Sequence, residues 1–405
     1  MRVVLFTGGV ETLDYFSVQL KKAFEKRGCL TFLLDLVQAK QEAKRLKKFM
    51  KTGETFCLTF NFEGLEREEG LYSLRDSYLW QQYRVPVFNI AADHPYWYDN
   101  RYRDLLEDEA HHPGLLSLYH QFSVDRLHEA YLKEFYPEFQ SAGFLPLAGT
   151  DLDPSEPLVP AAKRKAEILF TGHYTELPFF EPAITAVNEE YTAFYRSILA
   201  ELIDHPERSV DQVVIRRFSE ETGEKDKKQL RFAIYRTLFF DLYVRNHFRG
   251  KAVAALCNAG IPVTLIGKGW EKLPLKRRDT LTILPKTDSL GCLRAQREYR
   301  IALNVMPYFK DGAHDRVFNG ILNGMPVLTD ESRYLCEELP EGAGVSYYRL
   351  SRLDTEELPE KAERLLSDPA LCDEILERGL PLVRSRHTWD ARADVILQCY
   401  RDLYE

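Results

Sequence analysis

The sequence has no long uncharged apolar run. A transmembrane helix needs roughly 18 or more consecutive apolar residues, and no window of this chain approaches that composition. The first nine residues, MRVVLFTGG, are apolar over too short a stretch for the central region of a signal peptide. They are typical of a buried strand that ends in a turn. We therefore expect neither a membrane span nor a secretory signal.

Cysteine is sparse, and its spacing carries no motif. The seven cysteines are scattered and odd in number, and they never form a C-x-x-C pair. That pattern argues against a disulfide framework and against a zinc site. It is typical of core thiols in a reducing compartment, so we expect a cytoplasmic protein.

Positive charge is not in excess. The net charge is -8 over 405 residues, and the isoelectric point is about 5.8. A surface built for polyanions is usually basic, so nucleic acid is not expected as a main partner. Two short basic runs, Lys163-Arg164-Lys165 and Lys276-Arg277-Arg278, are expected to lie in solvated loops.

Two common fingerprints are also missing. The turn after the first strand is Thr7-Gly8-Gly9-Val10-Glu11-Thr12, which is not the G-x-G-x-x-G sequence of a dinucleotide site. No Asp-x-Asp stands within a cluster of ligand residues either. The length and the 45% hydrophobic content nevertheless suit two α/β domains, each with its own core.

One segment, residues 299–330, combines most of the features of a ligand site. The apolar strand Ile301–Met306 leads into the polar loop Lys310-Asp311-Gly312-Ala313-His314-Asp315-Arg316. A short apolar helix, the helix stop Asn323-Gly324 and a second strand follow. In a parallel sheet, a loop that leaves a strand and opens a helix presents N–H groups and the helix dipole to anions. An ordinary solvated crossover loop is the alternative.

Two further turns of the C-terminal half have a similar position. A strand at Ala166–Phe170 ends in Thr171-Gly172-His173, and a strand at Pro262–Ile266 opens into Gly267-Lys268-Gly269-Trp270. Between them, residues 178–258 show helical rather than strand patterns. Near the end of that stretch, Arg245, His247 and Arg249 are open to two interpretations, phosphate contacts or solvated positions.

In the N-terminal half, the loop that is richest in aromatic and titratable side chains follows the strand Pro86–Ile90. It runs Ala92-Asp93-His94-Pro95-Tyr96-Trp97-Tyr98-Asp99-Asn100. Aromatic rings beside Asp and His can stack on and hydrogen-bond a sugar, and Asp93 or His94 could accept a proton from a hydroxyl. An aromatic-rich loop packed on a neighbouring helix is the alternative. The proline-rich stretch 151–161 is the best candidate for an interdomain linker.

The central segment resembles the nucleotide-sugar site of GT-B glycosyltransferases. In the retaining families a Glu-x7-Glu pair precedes a helix that ends in glycine before a Pro-Val strand. Counting back from Gly324-Met325-Pro326-Val327, those two positions are Asp311 and Asn319 here, a departure at both. The spacing of Gly312, Arg316, Gly324 and Leu328-Thr329-Asp330 is similar to that of the CgeB-like (spore-maturation type) glycosyltransferases, most clearly in the C-terminal half.

That resemblance implies an α/β fold of GT-B architecture. Residues 1–155 would form an acceptor-side Rossmann-like domain, and residues 156–385 a nucleotide-sugar-binding one with a helical insert at 178–258. Residues 386–405 would form a C-terminal helix packing back on the N-terminal domain.

The resemblance further implies transfer of a sugar from a UDP-, GDP- or dTDP-linked donor to a glycan, protein or other surface hydroxyl, without cofactor or metal. CgeB-like relatives are associated with bacterial glycosylation. The implied catalytic residues are Asp93, His94 and Arg316. The implied donor contacts are Gly172, His173, Gly267, Lys268, Gly269, Lys310, Asp311, Gly312, His314, Arg316 and Asn319.

Two alternative functions, the stereochemical mechanism and the oligomeric state stay open at this point. The departures at Asp311 and Asn319 are compatible with a non-catalytic nucleotide- or glycan-binding protein on the same scaffold, and the polar loops with a two-domain epimerase. The sequence indicates neither an inverting nor a retaining mechanism. A homodimer is left open, because nothing in the sequence bears on the oligomeric state.

Overall fold

The computed structural model describes residues 1–404, which form two compact units. The first unit contains residues 1–147 together with the residues from Thr388 onward, and the second contains Ala148–His387. Residues 148–155, which the sequence assigns to the first domain, make their contacts in the second unit. For example, the N–H of Thr150 donates to Oδ1 of Asn319 at 2.7 Å.

The first unit is built on six parallel strands separated mostly by helices. In chain order its elements are β1 (Arg2–Thr7), α1 (Glu11–Lys26), β2 (Leu30–Asp35), α2 (Ala39–Phe49), β3 (Thr55–Phe60), β4 (Tyr72–Ser73), β5 (Ser77–Tyr78), α3 (Leu79–Gln82), β6 (Val87–Ala91), α4 (Asp99–His111), β7 (Tyr119–Ser123), α5 (Arg126–Phe135), β8 (Gln140–Phe144) and, from the end of the chain, α16 (Trp389–Tyr404). The spatial order of the sheet is β2-β1-β3-β6-β7-β8, and β4 and β5 form a separate antiparallel hairpin.

The final helix, α16, is part of the core of the first unit. The ring of Trp389 lies 4.7 Å from that of Phe16 on α1, and Tyr400 lies 5.1 Å from Phe56 on β3, between ring centroids. At the edge of this packing, the Arg27 guanidinium pairs with Asp390 and Asp394. An amphipathic stripe of helical period brings these aromatic residues onto one face.

The second unit repeats the architecture with a second six-stranded parallel sheet. In chain order its elements are β9 (Lys165–Thr171), α6 (Glu181–Ile184), α7 (Glu189–Asp204), α8 (Val210–Thr222), α9 (Lys227–Arg236), α10 (Phe239–Asn258), β10 (Val263–Ile266), β11 (Leu281–Leu284), α11 (Ser289–Gln296), β12 (Tyr299–Asn304), α12 (Asp315–Leu322), β13 (Val327–Asp330), α13 (Arg333–Glu338), β14 (Val345–Tyr348), α14 (Glu357–Ser367) and α15 (Pro369–Arg386). The spatial order is β11-β10-β9-β12-β13-β14. The predicted α/β class with two Rossmann-like sheets is therefore confirmed.

Within the described residues 1–404, no helix has the length and apolar composition needed to cross a membrane.

Arg164 corrects one expectation from the sequence. It belongs to a basic run predicted to be a solvated loop, yet it is only 4% exposed. Its guanidinium donates to the backbone carbonyls of Val159, Gln296, Tyr299 and Asn323. Buried carbonyls at the ends of several elements need donors, and one five-donor guanidinium can serve several of them together. Burial also lowers the pKa of Arg164 to about 10.

Replacing Arg164 by methionine is therefore expected to lower the free energy of unfolding by about 3 kcal/mol. The substitution keeps the aliphatic stem but leaves several buried carbonyls without a donor. Urea unfolding followed by circular dichroism measures the change. The neighbouring variant Lys165→Met is the control, because its exposed pair with Glu298 is expected to contribute less than about 1 kcal/mol. Equal effects of the two substitutions would contradict this role of Arg164.

Candidate functional site

Most of the predicted ligand residues of the second unit lie in three loops at one edge of its sheet, and Arg316 and Asn319 lie on the helix α12 that follows the third loop. Parallel strands bring their carboxyl ends to the same edge, which is where open α/β sheets bind ligands. Gly172 and His173 follow β9, residues 267–269 follow β10, and residues 305–314 connect β12 to α12. The order β10-β9-β12 makes the three strands neighbours.

The first two loops pack directly against each other. The N–H of Gly172 donates to the carbonyl of Ile266 at 3.0 Å, and the N–H of Tyr174 donates to that of Lys268 at 3.0 Å. A Cβ on Gly267 would lie 2.0 Å from the carbonyl oxygen of Gly172. A Cβ on Gly269 would lie 2.0 Å from the carbonyl oxygen of Tyr174. A side chain at either position would clash with the backbone of the other turn, so both positions require glycine.

Arg316 extends from the first turn of α12 beneath these loops. Its Nε donates to Oδ1 of Asn304 at 3.1 Å, and its two terminal nitrogens donate to the carbonyls of Thr171 and Val305 at 3.3 Å each. Nη1 lies 3.6 Å from the position that a Cβ on Gly172 would take. Among residues 1–404, no carboxylate forms an ion pair with Arg316, so its charge is held in place but not neutralised.

A second guanidinium, that of Arg249 on α10, lies nearby. Its Nη1 donates to the carbonyl of His173 at 3.2 Å, while its buried Nε has no hydrogen-bond partner in the described part of the chain. Burial, and then the charge of Arg316, lower the pKa of Arg249 to about 10. By contrast, the neighbouring Arg245 is paired with Asp241 through two contacts of 2.7 Å. The sequence left Arg249 open, and the structure brings it beside Arg316.

Two lysines add to this positive region. Their position is indicated by His173, whose pKa is lowered first by burial and then by the charges of Lys286, Arg249 and Lys268. Lys268 and Lys286 are exposed, and neither forms an ion pair with any residue that the structure describes. Four cations therefore converge without a paired carboxylate, in a chain whose net charge is -8. We call Arg249, Lys268, Lys286 and Arg316 the cation cluster.

Lys310 and Asp311 are positioned differently from the cation cluster. The Lys310 ammonium donates to the backbone carbonyls of Pro206 and Pro307, and its contact with a donor stays a prediction. Asp311 is 6% exposed. The carbonyl of Gly312 accepts a hydrogen bond from the hydroxyl of Ser332. These contacts fix the loop that leads into α12.

The start of α12 carries a chain of three polar side chains. His314 is the N-cap of the helix, and its Nδ1 lies 2.6 Å from Oδ1 of Asp315. The other carboxylate oxygen of Asp315 accepts from the side-chain amide of Asn319 at 2.8 Å. Both hydrogen-bonding groups of Asn319, the position of the second glutamate in the Glu-x7-Glu pair, are therefore engaged within the second unit.

Asp330, at the end of β13, is a buried carboxyl close to the same loop. Its Oδ1 accepts the N–H of Met306 at 2.8 Å. Burial raises its pKa to about 7, although that hydrogen bond and Lys310 act in the opposite direction. The acid is thus protonated in the folded protein at pH values where it would be ionised in the unfolded chain, whose carboxyls have a pKa of about 3.9.

The raised pKa predicts a stability that falls as the pH rises. Between about pH 4 and pH 7 the folded state binds the additional proton, so stability is lost across this range and is not recovered above it. Asp330→Asn keeps the acceptor and carries no charge. Its stability relative to the wild type is expected to increase by up to roughly 4 kcal/mol between pH 4 and pH 8. Urea unfolding at several pH values measures this difference, and a constant difference would show that Asp330 is already ionised when folded.

In the first unit, the structure buries one of the two predicted proton acceptors. His94 is 5% exposed, caps the turn Pro95–Tyr98, and stacks on Tyr96 at 3.9 Å between ring centroids. Asp93 is half-buried. Their assignment as a general base stays a prediction.

Glu63, at the end of β3, is a carboxyl that sequence reasoning did not select. It is largely buried, and its Oε2 has no hydrogen-bond partner in the part of the chain described. Burial, and then Asp14, raise the pKa of Glu63 to about 7. Asn61 and Phe62 precede it with φ of 49° and 68°, a left-handed conformation that is rare for such residues. The sequence contains no glycine at these positions that would have signalled the turn.

Residues 1–404 contain no group of three or more His, Cys, Asp or Glu side chains that could hold a metal ion.

Comparison with known proteins bears on both fold and family. Residues 245–398, which include Arg249, β12 and α12, match the family model described as "Glycosyl transferase-like". No curated protein matches the sequence. An alpha-glucosyltransferase in complex with UDP is similar over 100% of both chains, with a TM-score of 0.58 and 13% identity. The chain has the GT-B fold of glycosyltransferases.

Two other solved GT-B structures show the same likeness. Sucrose-phosphate synthase from Thermosynechococcus elongatus has a TM-score of 0.56 and 13% identity, over 100% of this chain and 99% of that one. The glycosyltransferase AviGT4, involved in avilamycin A biosynthesis, has a TM-score of 0.51 and 12% identity, over 100% and 98%. At such low identities the likeness lies in the fold. Membership in the CgeB-like group stays a prediction.

Proposed function

We propose that the protein is a glycosyltransferase that uses a nucleotide-sugar donor. The observation that carries this proposal is the cation cluster at the carboxyl edge of the second sheet. Its charges lack carboxylate partners, and a diphosphate supplies the negative charge that they lack. The glycosyl transferase-like match covers all four members of the cluster and all of the loop before α12.

In this function the second unit binds the donor and stabilises the leaving group. As the bond between the sugar and the diphosphate breaks, negative charge accumulates on the phosphate oxygens. Fixed guanidiniums can stabilise that charge without reorganisation, and Arg316 is fixed by three acceptors. Arg249 and Lys268 would contribute from the neighbouring elements. This arrangement supplies positive charge from the chain itself, so we propose a reaction that does not depend on added metal.

The donor is proposed to be UDP-, GDP- or dTDP-linked, and the acceptor a hydroxyl of a glycan, a protein or another surface molecule. UDP and UDP-glucose are bound in structures of the alpha-glucosyltransferase with the same fold, one of which also contains DNA. For this chain the net charge of -8 favours an acceptor other than nucleic acid. A cytoplasmic location is part of the proposal.

A non-catalytic binding protein on the same scaffold is the second candidate. It is favoured by Asp311 and Asn319, which replace the two glutamates, because Asp311 is buried and Asn319 is engaged in hydrogen bonds within the unit. Such a protein would retain the diphosphate site and would lack turnover.

A thermal-shift screen tests the proposal. UDP, GDP, dTDP and their sugars are added with and without EDTA. A nucleotide at 100 times its Kd stabilises the folded state by about 2.7 kcal/mol, which corresponds to roughly 5–10 °C for a domain of this size. Donor hydrolysis, followed by release of the nucleoside diphosphate, then separates the enzyme from the binding protein.

The screen is repeated with one test variant and one control variant. Arg249→Gln is expected to abolish the shift, whereas Arg236→Gln, an exposed arginine on α9, is expected to leave it unchanged. The absence of a shift with every nucleotide at millimolar concentration would contradict both candidates. A shift that EDTA abolishes would contradict binding without metal.

A further inference from the structure

Positive charge is concentrated in one helix of the first unit. Six basic and two acidic residues lie between Ala39 and Glu54, in a chain whose net charge is -8. This stretch contains α2 (Ala39–Phe49) and the turn that follows it. Five of the six basic residues are lysines. No member of the cation cluster lies on this helix, so its charge needs a separate explanation.

The five lysines share the solvent side of α2 and of the turn after it. They recur at intervals of three and four residues, which places side chains one above another on a helix. All are exposed, and we call them the lysine face: Lys40, Lys44, Lys47, Lys48 and Lys51. On the opposite side, Ala39 and Leu46 are 2% and 0% exposed. The apolar side of the helix is therefore packed in the unit, and its charged side is presented to solvent.

The middle of the lysine face has no negative partner. Lys44, Lys47 and Lys48 form no ion pair with any of residues 1–404. The two ends of the face are paired, with Glu69 at 2.6 Å and with Glu54 at 3.6 Å. Such exposed pairs contribute little free energy, so these end lysines can also exchange their carboxylates for another anion.

An exposed apolar side chain lies at the start of this surface. Val37, in the turn before α2 and three residues ahead of Lys40, is 77% exposed. Its N–H donates to Oδ1 of Asp35 at 3.0 Å, which fixes the turn. A valine held in solvent at the end of a basic helix can enter an apolar medium, while the lysines keep their ammonium groups in contact with water and negative charge.

The choice of lysine favours a mobile array of anions over a single shaped ligand. A lysine ammonium is a point charge on a flexible stem, whereas an arginine guanidinium matches one phosphate or carboxylate in a fixed geometry. The arginine of this helix, Arg45, is already engaged, since it pairs with Glu42 at 2.6 Å and lies over the ring of Phe32. An anionic bilayer, with independent head groups and an apolar interior, suits both the lysines and Val37. A nucleic acid would satisfy the lysines alone.

We propose that the first unit binds anionic membrane surfaces through the lysine face, with Val37 entering the boundary between head groups and acyl chains. Clusters of roughly four to eight basic residues on a helix are the pattern that anionic lipids attract. Because the apolar side of α2 is packed in the unit, the helix lies on the membrane surface and does not insert. Together with the proposed function, this binding would bring the enzyme to acceptors that are anchored in a membrane.

Sedimentation with vesicles tests the proposal. The full chain is mixed with vesicles of phosphatidylcholine, or with vesicles of an equal mixture of phosphatidylcholine and phosphatidylglycerol. We expect the protein to pellet with the anionic vesicles only. Salt is expected to release it, because charges are screened beyond roughly 10 Å at 0.1 M salt and beyond roughly 3 Å at 1 M. Equal binding to both vesicles, or no binding to the anionic ones at 0.1 M salt, would overturn the proposal.

Two variants with the same change in net charge test the assignment to the lysine face. The test variant combines Lys44→Gln, Lys47→Gln and Lys48→Gln. Each lysine beside an anionic surface contributes about a fivefold gain in affinity, so binding to anionic vesicles is expected to weaken by about 100-fold. The control, at exposed lysines around the start of α9, combines Lys225→Gln, Lys227→Gln and Lys228→Gln. It is expected to bind within about twofold of the wild type, and equal losses in the two variants would overturn the assignment.

Val37→Asn distinguishes a membrane from a soluble polyanion. It is expected to weaken binding to anionic vesicles by at least about threefold, because each buried methylene contributes to membrane affinity. If Val37→Asn binds these vesicles as tightly as the wild type, or if the wild type binds a DNA duplex more tightly than the vesicles, the lysine face recognises negative charge without a membrane. Either result would overturn the proposal.

The thermal-shift screen separates this proposal from the proposed function. Without vesicles or nucleotide, it first shows that each variant is folded. An unchanged nucleotide shift in the lysine variant, together with its loss of vesicle binding, supports both proposals. If vesicles bind and no nucleotide does, the glycosyltransferase function is wrong and membrane binding stands. If a nucleotide binds and anionic vesicles do not, membrane binding is wrong and the function stands.

Discussion

Replacing Arg316 by alanine is expected to weaken the binding of a nucleoside diphosphate by at least about 100-fold. Removing one partner of a buried, hydrogen-bonded charge pair costs roughly 2–5 kcal/mol, and each 1.4 kcal/mol corresponds to a tenfold change in Kd. Arg316 meets the conditions for such a loss, because three acceptors fix its guanidinium and no carboxylate competes with a ligand for it. Isothermal titration calorimetry with the nucleotide found in the screen measures the effect.

Two further variants separate the charge of Arg316 from its geometry. Arg316→Lys keeps the positive charge but not the planar fork, so its Kd is expected to lie between those of the wild type and Arg316→Ala. Arg333→Ala is the control, since Arg333 is exposed and pairs with Glu337 on its own helix. Thermal unfolding without ligand shows whether loss of the contacts to Asn304, Thr171 and Val305 affects the fold. An unaltered Kd in a folded Arg316→Ala protein would contradict the assignment of the diphosphate site.

Gly269→Ala is expected to destabilise the second unit by about 4–5 kcal/mol or to prevent its folding. Two effects combine at this position. The backbone has φ of 87°, which is strained for any residue with a Cβ, and that Cβ would lie 2.0 Å from the carbonyl oxygen of Tyr174. The clash is with backbone, so no side-chain rotation can relieve it, and costs above about 4 kcal/mol arise from such combined mechanisms.

Gly223→Ala is the matched control for this prediction. Gly223 ends α8 with φ of 72°, but a Cβ there would meet nothing within 4 Å. Its replacement is expected to cost about 1 kcal/mol, the penalty for the left-handed conformation alone. The difference between the two variants in urea unfolding therefore measures the clash between the two loops. Equal losses would show that the loops separate without cost.

The central segment could be predicted because its signals are local. An apolar run before Pro307 and the sequence Asn323-Gly324 predicted a strand, a helix and a strand, and these are β12, α12 and β13. The strand Pro262–Ile266 and its glycine turn were located by the same kind of signal. Such elements are specified by residues within a few positions of one another.

The parts that could not be predicted depend on contacts between distant residues. Arg249 and Arg316 are separated by β10, β11 and β12 in the chain, and the pattern around Arg249 fitted a solvated position equally well. Nothing in the sequence indicated that carbonyls from two separate segments would accept hydrogen bonds from the Lys310 ammonium. Polar side chains acquire their partners only when the chain is folded, so spacing in the sequence carries little information about which charges are neutralised.

The first unit is assembled from both ends of the chain, so its last helix is synthesised only after the whole of the second unit. Domains generally fold as units while the ribosome synthesises the chain from its N-terminus. The first 147 residues leave the ribosome long before α16, whose Trp389 and Tyr400 pack on Phe16 and Phe56. The nascent first unit therefore carries an uncovered aromatic surface throughout the synthesis of the second. Such surfaces promote aggregation, so a ribosome stalled before residue 388 would present a chaperone substrate rather than a finished domain.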